Sequence, residues 1–118
     1  MKTTGLSHIH LAVRDLERSE QFYSGLFGLE VMFRVPPDMV FMQTPGAQDV
    51  ITLRQAGESE EIGPGGIGHF GFAIAPEHFQ DALAEARSFG AEILEVGEFQ
   101  PGQPYAYLKD PDGYVIEL

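Results

Sequence analysis

The chain has 118 residues, with 7 Lys and Arg against 18 Asp and Glu and 4 His, for a formal net charge of −11. Its length suits one compact domain, and 43% hydrophobic with 21% charged residues is a globular balance rather than a disordered one. The acidic balance argues against nucleic acid and against anionic lipid, since both require clustered Lys and Arg, and the absence of Cys excludes disulfides and thiolate chemistry. No apolar run approaches the ~20 residues of a membrane span and no signal-peptide pattern opens the chain, so a soluble, cytoplasmic protein with neither a membrane nor a nucleic-acid partner is expected.

In chain order, His8-Ile9-His10-Leu11-Ala12-Val13 alternates apolar with small or polar residues, the period of a half-buried strand. Asp15 then caps a helix from Leu16, with Leu16, Ser19, Phe22, Tyr23 and Leu26 on one stripe and Gly28 at its end. Gly25 inside that stretch costs about 1 kcal/mol relative to Ala, which predicts an early end or a bend. An apolar strand over Leu29–Val35 and then closing strands, the last being Val50-Ile51-Thr52-Leu53, complete a β-α-β-β-β unit.

The second half repeats the first. His69-Phe70-Gly71-Phe72-Ala73-Ile74 opens it, and Pro76 stands at a helix start. Phe79, Leu83, Ala86 and Phe89 form the core stripe, which Gly90 ends. Ala91–Val96 and Val115-Ile116-Glu117-Leu118 follow as strands. The two closing tetrapeptides differ at one position, which sets Thr52 against Glu117, while His8 and His69 hold the same slot in their units. Between the modules, Gly63-Pro64-Gly65-Gly66-Ile67-Gly68 satisfies G-x-G-x-x-G literally. A dinucleotide site needs a strand before that loop and a helix after it, whereas here a strand follows, so the segment reads as a flexible connector.

Side chains two apart on a strand share a face. With Ile9, Leu11, Val13, Phe70, Phe72, Ile74, Ile116 and Leu118 turned to the helices, the opposite face carries His8, His69 and Glu117. Thr52 and Arg54 share that face, as do Tyr105, Tyr107 and Lys109. Asp110-Pro111-Asp112-Gly113 is a turn that returns the Glu117 strand beside the Tyr107 strand. Two imidazoles and one carboxylate on one face make a 2-His-1-carboxylate set suited to a divalent ion. The pattern alone leaves open the plainer reading of two satisfied strand histidines.

The stretch Gly5-Leu6-Ser7-His8-Ile9-His10-Leu11-Ala12-Val13-Arg14-Asp15-Leu16-Glu17-Arg18-Ser19, then Phe22-Tyr23 and Gly28-Leu29-Glu30-Val31, resembles the opening of the vicinal oxygen chelate superfamily. Gly68-His69-Phe70-Gly71-Phe72 resembles its second-module start, and Tyr107–Glu117 its closing strand pair. That group includes glyoxalase I, bleomycin-resistance proteins, thiol-transferring fosfomycin-resistance enzymes, methylmalonyl-CoA epimerase and extradiol dioxygenases. The resemblance implies an α+β fold, residues 1–118 forming one domain with modules at about 4–56 and 69–118 and a linker at 57–68. The modules would form a cupped, mostly antiparallel eight-stranded sheet with helices on its outer face. It implies His8, His69 and Glu117 as ligands of a divalent metal (Fe, Mn, Ni or Zn), a small-molecule substrate with vicinal oxygens, and a homodimer.

One departure narrows the activity. Glyoxalase I-like members carry a carboxylate, and the epimerase a glutamine, where this chain has Thr52, and a hydroxyl lacks the pKa for that proton transfer. The expectation therefore favours extradiol-type dioxygenase chemistry, with a glyoxalase-like lyase or isomerase, or a thiol transferase of the fosfomycin-resistance type, as alternatives. Tyr107 matches a tyrosine near substrate in extradiol and fosfomycin-type enzymes, and His10 is a candidate acid–base group. An anionic substrate would need Arg54 and Lys109. A metal-free binding protein of the bleomycin-resistance type would instead use an aromatic cavity built from Tyr105, Tyr107, Phe33 and Phe41.

Overall fold

The computed structural model describes residues 1–2 and 6–118; the expected start of the first module and Gly5, which opens the family-like stretch, lie outside the described residues. The chain divides into two compact units, Met1–Glu61 and Ile62–Leu118. The first runs β1 (Ile9–Val13), α1 (Leu16–Phe27), β2 (Glu30–Val35), β3 (Met39–Gln43) and β4 (Ile51–Gln55). In the second, β5 (Phe70–Gly71) leads through a 3-10 turn at Pro76–His78 into α2 (Phe79–Ser88), then β6 (Glu92–Glu98), β7 (Pro104–Lys109) and β8 (Val115–Glu117). The α+β class and the repeated order are those expected. The eight strands form two four-stranded sheets, ordered β1-β4-β3-β2 and β5-β8-β7-β6, rather than one continuous ladder. In each, a parallel outer pair joins an antiparallel meander.

Asp15 caps α1 by accepting from Arg18 N at 3.0 Å, and Gly28 closes it in the left-handed conformation at φ 69°. The helix continues through Gly25 to Phe27. Burial of Ser19, Phe22 and Tyr23, with rings of Phe22, Tyr23 and Phe27 within 5.3–6.0 Å of one another, outweighs the local glycine cost. The face of α1 lies on β4, and Leu11, Val13, Val40, Met42, Ile51 and Leu53 are buried.

In the second unit Phe79, Leu83 and Ala106 form the core, with Ile93 and Leu118 packed against them. Phe89, expected on that stripe, is exposed. It stands about 80° round the helix from Phe79 and at the C-cap, where α2 has already ended. The strand expected over 69–74 shortens to Phe70–Gly71, because its partner β8 offers only Val115–Glu117. No helix follows the Gly63–Gly68 loop, and β5 begins at Phe70, so the literal dinucleotide pattern lacks its helix. Among the described residues, no helix is long and apolar enough to cross a membrane.

Each antiparallel meander carries a bulge at the matching place, between Val31 and Phe33 and between Ile93 and Glu95. The extra residue reverses which side chains face the helix. Val31 and Ile93 therefore pair with Met42 and Leu108 on the buried side, whereas Phe33 and Glu95 pair with Phe41 and Tyr107 on the open side.

Candidate functional site

Three of the residues singled out by the sequence meet on the open face of the second unit. His69 stands one residue before β5, and Glu117 pairs with Gly71 across the β5–β8 ladder. His69 Nε2 lies 2.8 Å from Glu117 Oε2. Tyr107 is directly opposite Glu117 on β7, its ring 5.1 Å from that of His69. Burial first, then the Glu117 and Glu95 carboxylates, raises the Tyr107 phenol above its ordinary value, so it keeps its proton at neutral pH. Gly71 lets β5 run close beside Glu117, since a Cβ there would meet the Glu117 backbone O at 3.1 Å and its Cβ at 3.4 Å.

The turn before β8 sets this arrangement. Buried Asp110 accepts from Asp112 N and Tyr114 N, each at 2.9 Å, and Gly113 takes φ 88°. The strand bearing Glu117 is thereby returned against Tyr107, as the Asp-Pro-Asp-Gly sequence predicts.

Further along the same face, the Tyr105 hydroxyl donates to Glu95 Oε1 at 2.5 Å, which raises that phenol too. Phe99 stacks on Tyr105 with centroids 4.5 Å apart. Neither Glu95 nor Phe99 stands out in the sequence. Uninterrupted alternation puts Glu95 on the same side as Ile93, and only the bulge moves it.

In the first unit, His8 also stands one residue before its strand, exposed, with Ser7 Oγ 2.9 Å from Nδ1. In the tautomer in which Nδ1–H donates to Ser7 Oγ, Nε2 keeps its lone pair and can ligate a metal. His10 is exposed and pairs in register with Thr52, which is fully buried. Thr52 Oγ1 has no hydrogen-bond partner among the described residues. Phe41, on the other side of Thr52, stacks on Phe33 at 4.4 Å. Arg54 places both guanidinium nitrogens on Glu60, at 2.5 and 3.1 Å, and Arg14 reaches the carbonyls of Gly57 and Glu60. The start of the expected connector is thus fastened to the first sheet.

The structure therefore brings together His69, Glu117 and Tyr107, while His8 and His10 belong to the other unit. Within the second unit no third His, Asp or Glu joins the pair, among the described residues. An imidazole nitrogen and a carboxylate oxygen directed at one another are a donor set that fits a borderline divalent ion, lacking one further ligand.

A duplicated β-α-β-β-β unit whose second copy sets a histidine against a C-terminal-strand glutamate defines a class of paired-module protein. The model of the Glyoxalase/Bleomycin resistance protein/Dioxygenase superfamily matches residues 5–118, and the chain belongs to that superfamily. It is similar to a lactoylglutathione lyase of Salmonella typhimurium, 29% identical over 96% of this chain and 90% of that protein. It is 32% identical, over 94% of its length, to a putative lactoylglutathione lyase of Brassica oleracea, of which it spans 42%. Its fold matches a variant of the fosfomycin resistance protein FosX from Listeria monocytogenes solved with Mn(II) and 1S,2S-dihydroxypropylphosphonic acid. That likeness has TM-score 0.82 and 24% identity, covering 99% of this chain and 90% of that one, and at such identity it speaks for the fold alone.

Proposed function

We propose that this protein is a divalent-metal enzyme acting on a small molecule with vicinal oxygens, the ion (Fe, Mn, Ni or Zn) being held by His69, Glu117 and His8. The observation that carries the reading is the 2.8 Å approach of His69 Nε2 to Glu117 Oε2 beside Tyr107. His8, with Ser7 at its Nδ1, supplies the third donor, from the same chain or a second copy. When bound, such an ion acts as a Lewis acid toward substrate oxygens.

The chain's own groups supply the rest. Tyr107, protonated and next to the pair, donates a hydrogen bond to a substrate oxygen. His10, exposed two residues along the strand from His8, is the candidate acid–base group. Thr52 offers a hydroxyl, not a carboxylate, in the ladder position that matches Glu117, which weighs against glyoxalase I-type (aldoketomutase) proton transfer at that position. The sequence relatives described above are lactoylglutathione lyases, so lyase or isomerase chemistry, with the proton moved by a group other than Thr52, is favoured over oxygen-dependent ring cleavage.

The test is elemental analysis of purified protein after exposure to Mn(II), Fe(II), Ni(II) and Zn(II), alongside His8→Ala, His69→Ala and Glu117→Ala variants whose folding is checked by circular dichroism. Wild type should retain roughly one ion per chain and each folded variant should lose it. Wild type that takes up none of the four ions overturns the reading and leaves a metal-free binding protein.

A further inference from the structure

We infer that the molecule held at the open face of the second unit lays along the row Tyr107–Tyr105–Phe99 an aromatic ring whose substituents away from the ion are not anionic; this rests on the reading of His69 and Glu117 as metal ligands.

The row is continuous. From His69 the ring centroids step 5.1 Å to Tyr107, 5.4 Å to Tyr105 and 4.5 Å to Phe99. Its far end is open, with Phe99 65% exposed. Gly97 makes room for it, because a Cβ there would come within 2.7 Å of Tyr105 Oη and 2.9 Å of Cε1, so the ring lies across the bare backbone of β6. Donation of the Tyr105 hydroxyl to Glu95 fixes the ring's tilt and makes it electron-rich, which favours stacked aromatics and cations.

Charge sets the other half of the inference. Tyr107, Glu117, Glu95, Glu92 and Lys109 share this face by register. An ion at His69 and Glu117 would offset the Glu117 carboxylate, which leaves Glu95 and Glu92 against one ammonium along the row, and that ammonium is engaged, Lys109 Nζ lying 3.3 Å from Glu92. In the first unit the cation on the corresponding face, Arg54, is held by Glu60. An anion such as a carboxylate or phosphonate needs converging cations. Here it would have to break an existing ion pair and approach carboxylates of its own sign. A neutral or cationic ring meets neither cost.

The test uses Mn(II)-loaded protein, its metal content measured first, titrated calorimetrically with three probes: catechol, catechol bearing a ring carboxylate, and catechol bearing an aminoethyl chain. Catechol and the amine should bind, with the carboxylate weaker by about tenfold. Glu95→Gln should narrow that gap. Tyr105→Leu should weaken all three probes several-fold while Mn(II) content stays unchanged. Carboxylate binding equal to or tighter than that of the amine, or no binding of any probe to loaded protein, overturns the inference and leaves the metal reading standing. Protein that takes up no Mn(II) brings down both.

Discussion

Thr52 and Glu117 occupy one ladder position in two copies of the same unit: Thr52 stands opposite Phe41, and Glu117 opposite Tyr107. The carboxylate meets an imidazole, whereas the hydroxyl is buried with its Oγ1 lacking a partner. A buried polar group with no hydrogen bond costs about 1–3 kcal/mol, so replacing it by an isosteric methyl should not destabilise. Thr52→Val is expected to leave the urea unfolding free energy unchanged or raise it by about 1 kcal/mol. A loss of that size would mean that the hydroxyl serves a bound group.

Glu60 anchors the segment after β4. Hydrogen bonding from Arg54, then from Gly57 N, holds its carboxyl down to about 2 from 4.5. A depressed carboxylate stabilises the folded state fully above its unfolded value, and that contribution fades as pH falls from about 4.5 to about 2. In the folded protein the clasp should therefore remain closed at pH 4 and open only near pH 2. Amide exchange at Gly57, which donates to Glu60 Oε2 at 3.0 Å, reports it directly. Glu60→Gln should accelerate that exchange at pH 4 and above, with the difference from wild type closing near pH 2, and an unchanged rate at pH 4 would mean that Arg14 holds the loop alone.

Much of this was legible in the residues. Alternation in His8–Val13, the Asp15 cap and the Gly28 terminus fixed the first half, and the repeat carried those assignments to the second. The Asp110–Gly113 turn and the shared slot of His69 and His8 were readable for the same reason, since they rest on local chemistry. What escaped depends on tertiary geometry. The bulge in β6 turns Glu95 to the open side against simple alternation. Glu60 lies in a polar run that looks like an unattached connector until Arg54 is seen to grip it. Phe89 follows Ala86 by three residues, yet it stands about 80° round from Phe79 and the helix stops one position before it.

Gly97 is glycine because Tyr105 occupies its side-chain space. In Gly97→Ala the ring must swing away and release Glu95. Ala suits a strand better than Gly by roughly 0.5–1 kcal/mol, which offsets part of the lost packing, so stability should change by less than about 1 kcal/mol. The phenol should nonetheless ionise at lower pH, because the Glu95 hydrogen bond is the first cause of its raised value. Ultraviolet titration against wild type, with Tyr105→Phe to assign the signal, checks this. An unshifted titration would show that the ring had stayed in place.

Asp110 is the residue on which the position of Glu117 most depends. Its buried carboxylate accepts from Asp112 N and Tyr114 N, and Asp110 N is itself bonded to Tyr114 O at 2.9 Å, locking the entry to β8. Asp110→Ala removes both side-chain acceptor contacts, at a cost of about 1–3 kcal/mol in unfolding free energy. Asp110→Asn keeps an oxygen able to accept and should recover a substantial part of it. Because β8 is only three residues long, a loosened entry shifts Glu117 more readily than the core, where Ile116 is fully buried. Metal uptake by Asp110→Ala should therefore fall even well below its unfolding midpoint, while Asp110→Asn retains most of it. Equal uptake by both variants would separate the turn from the site.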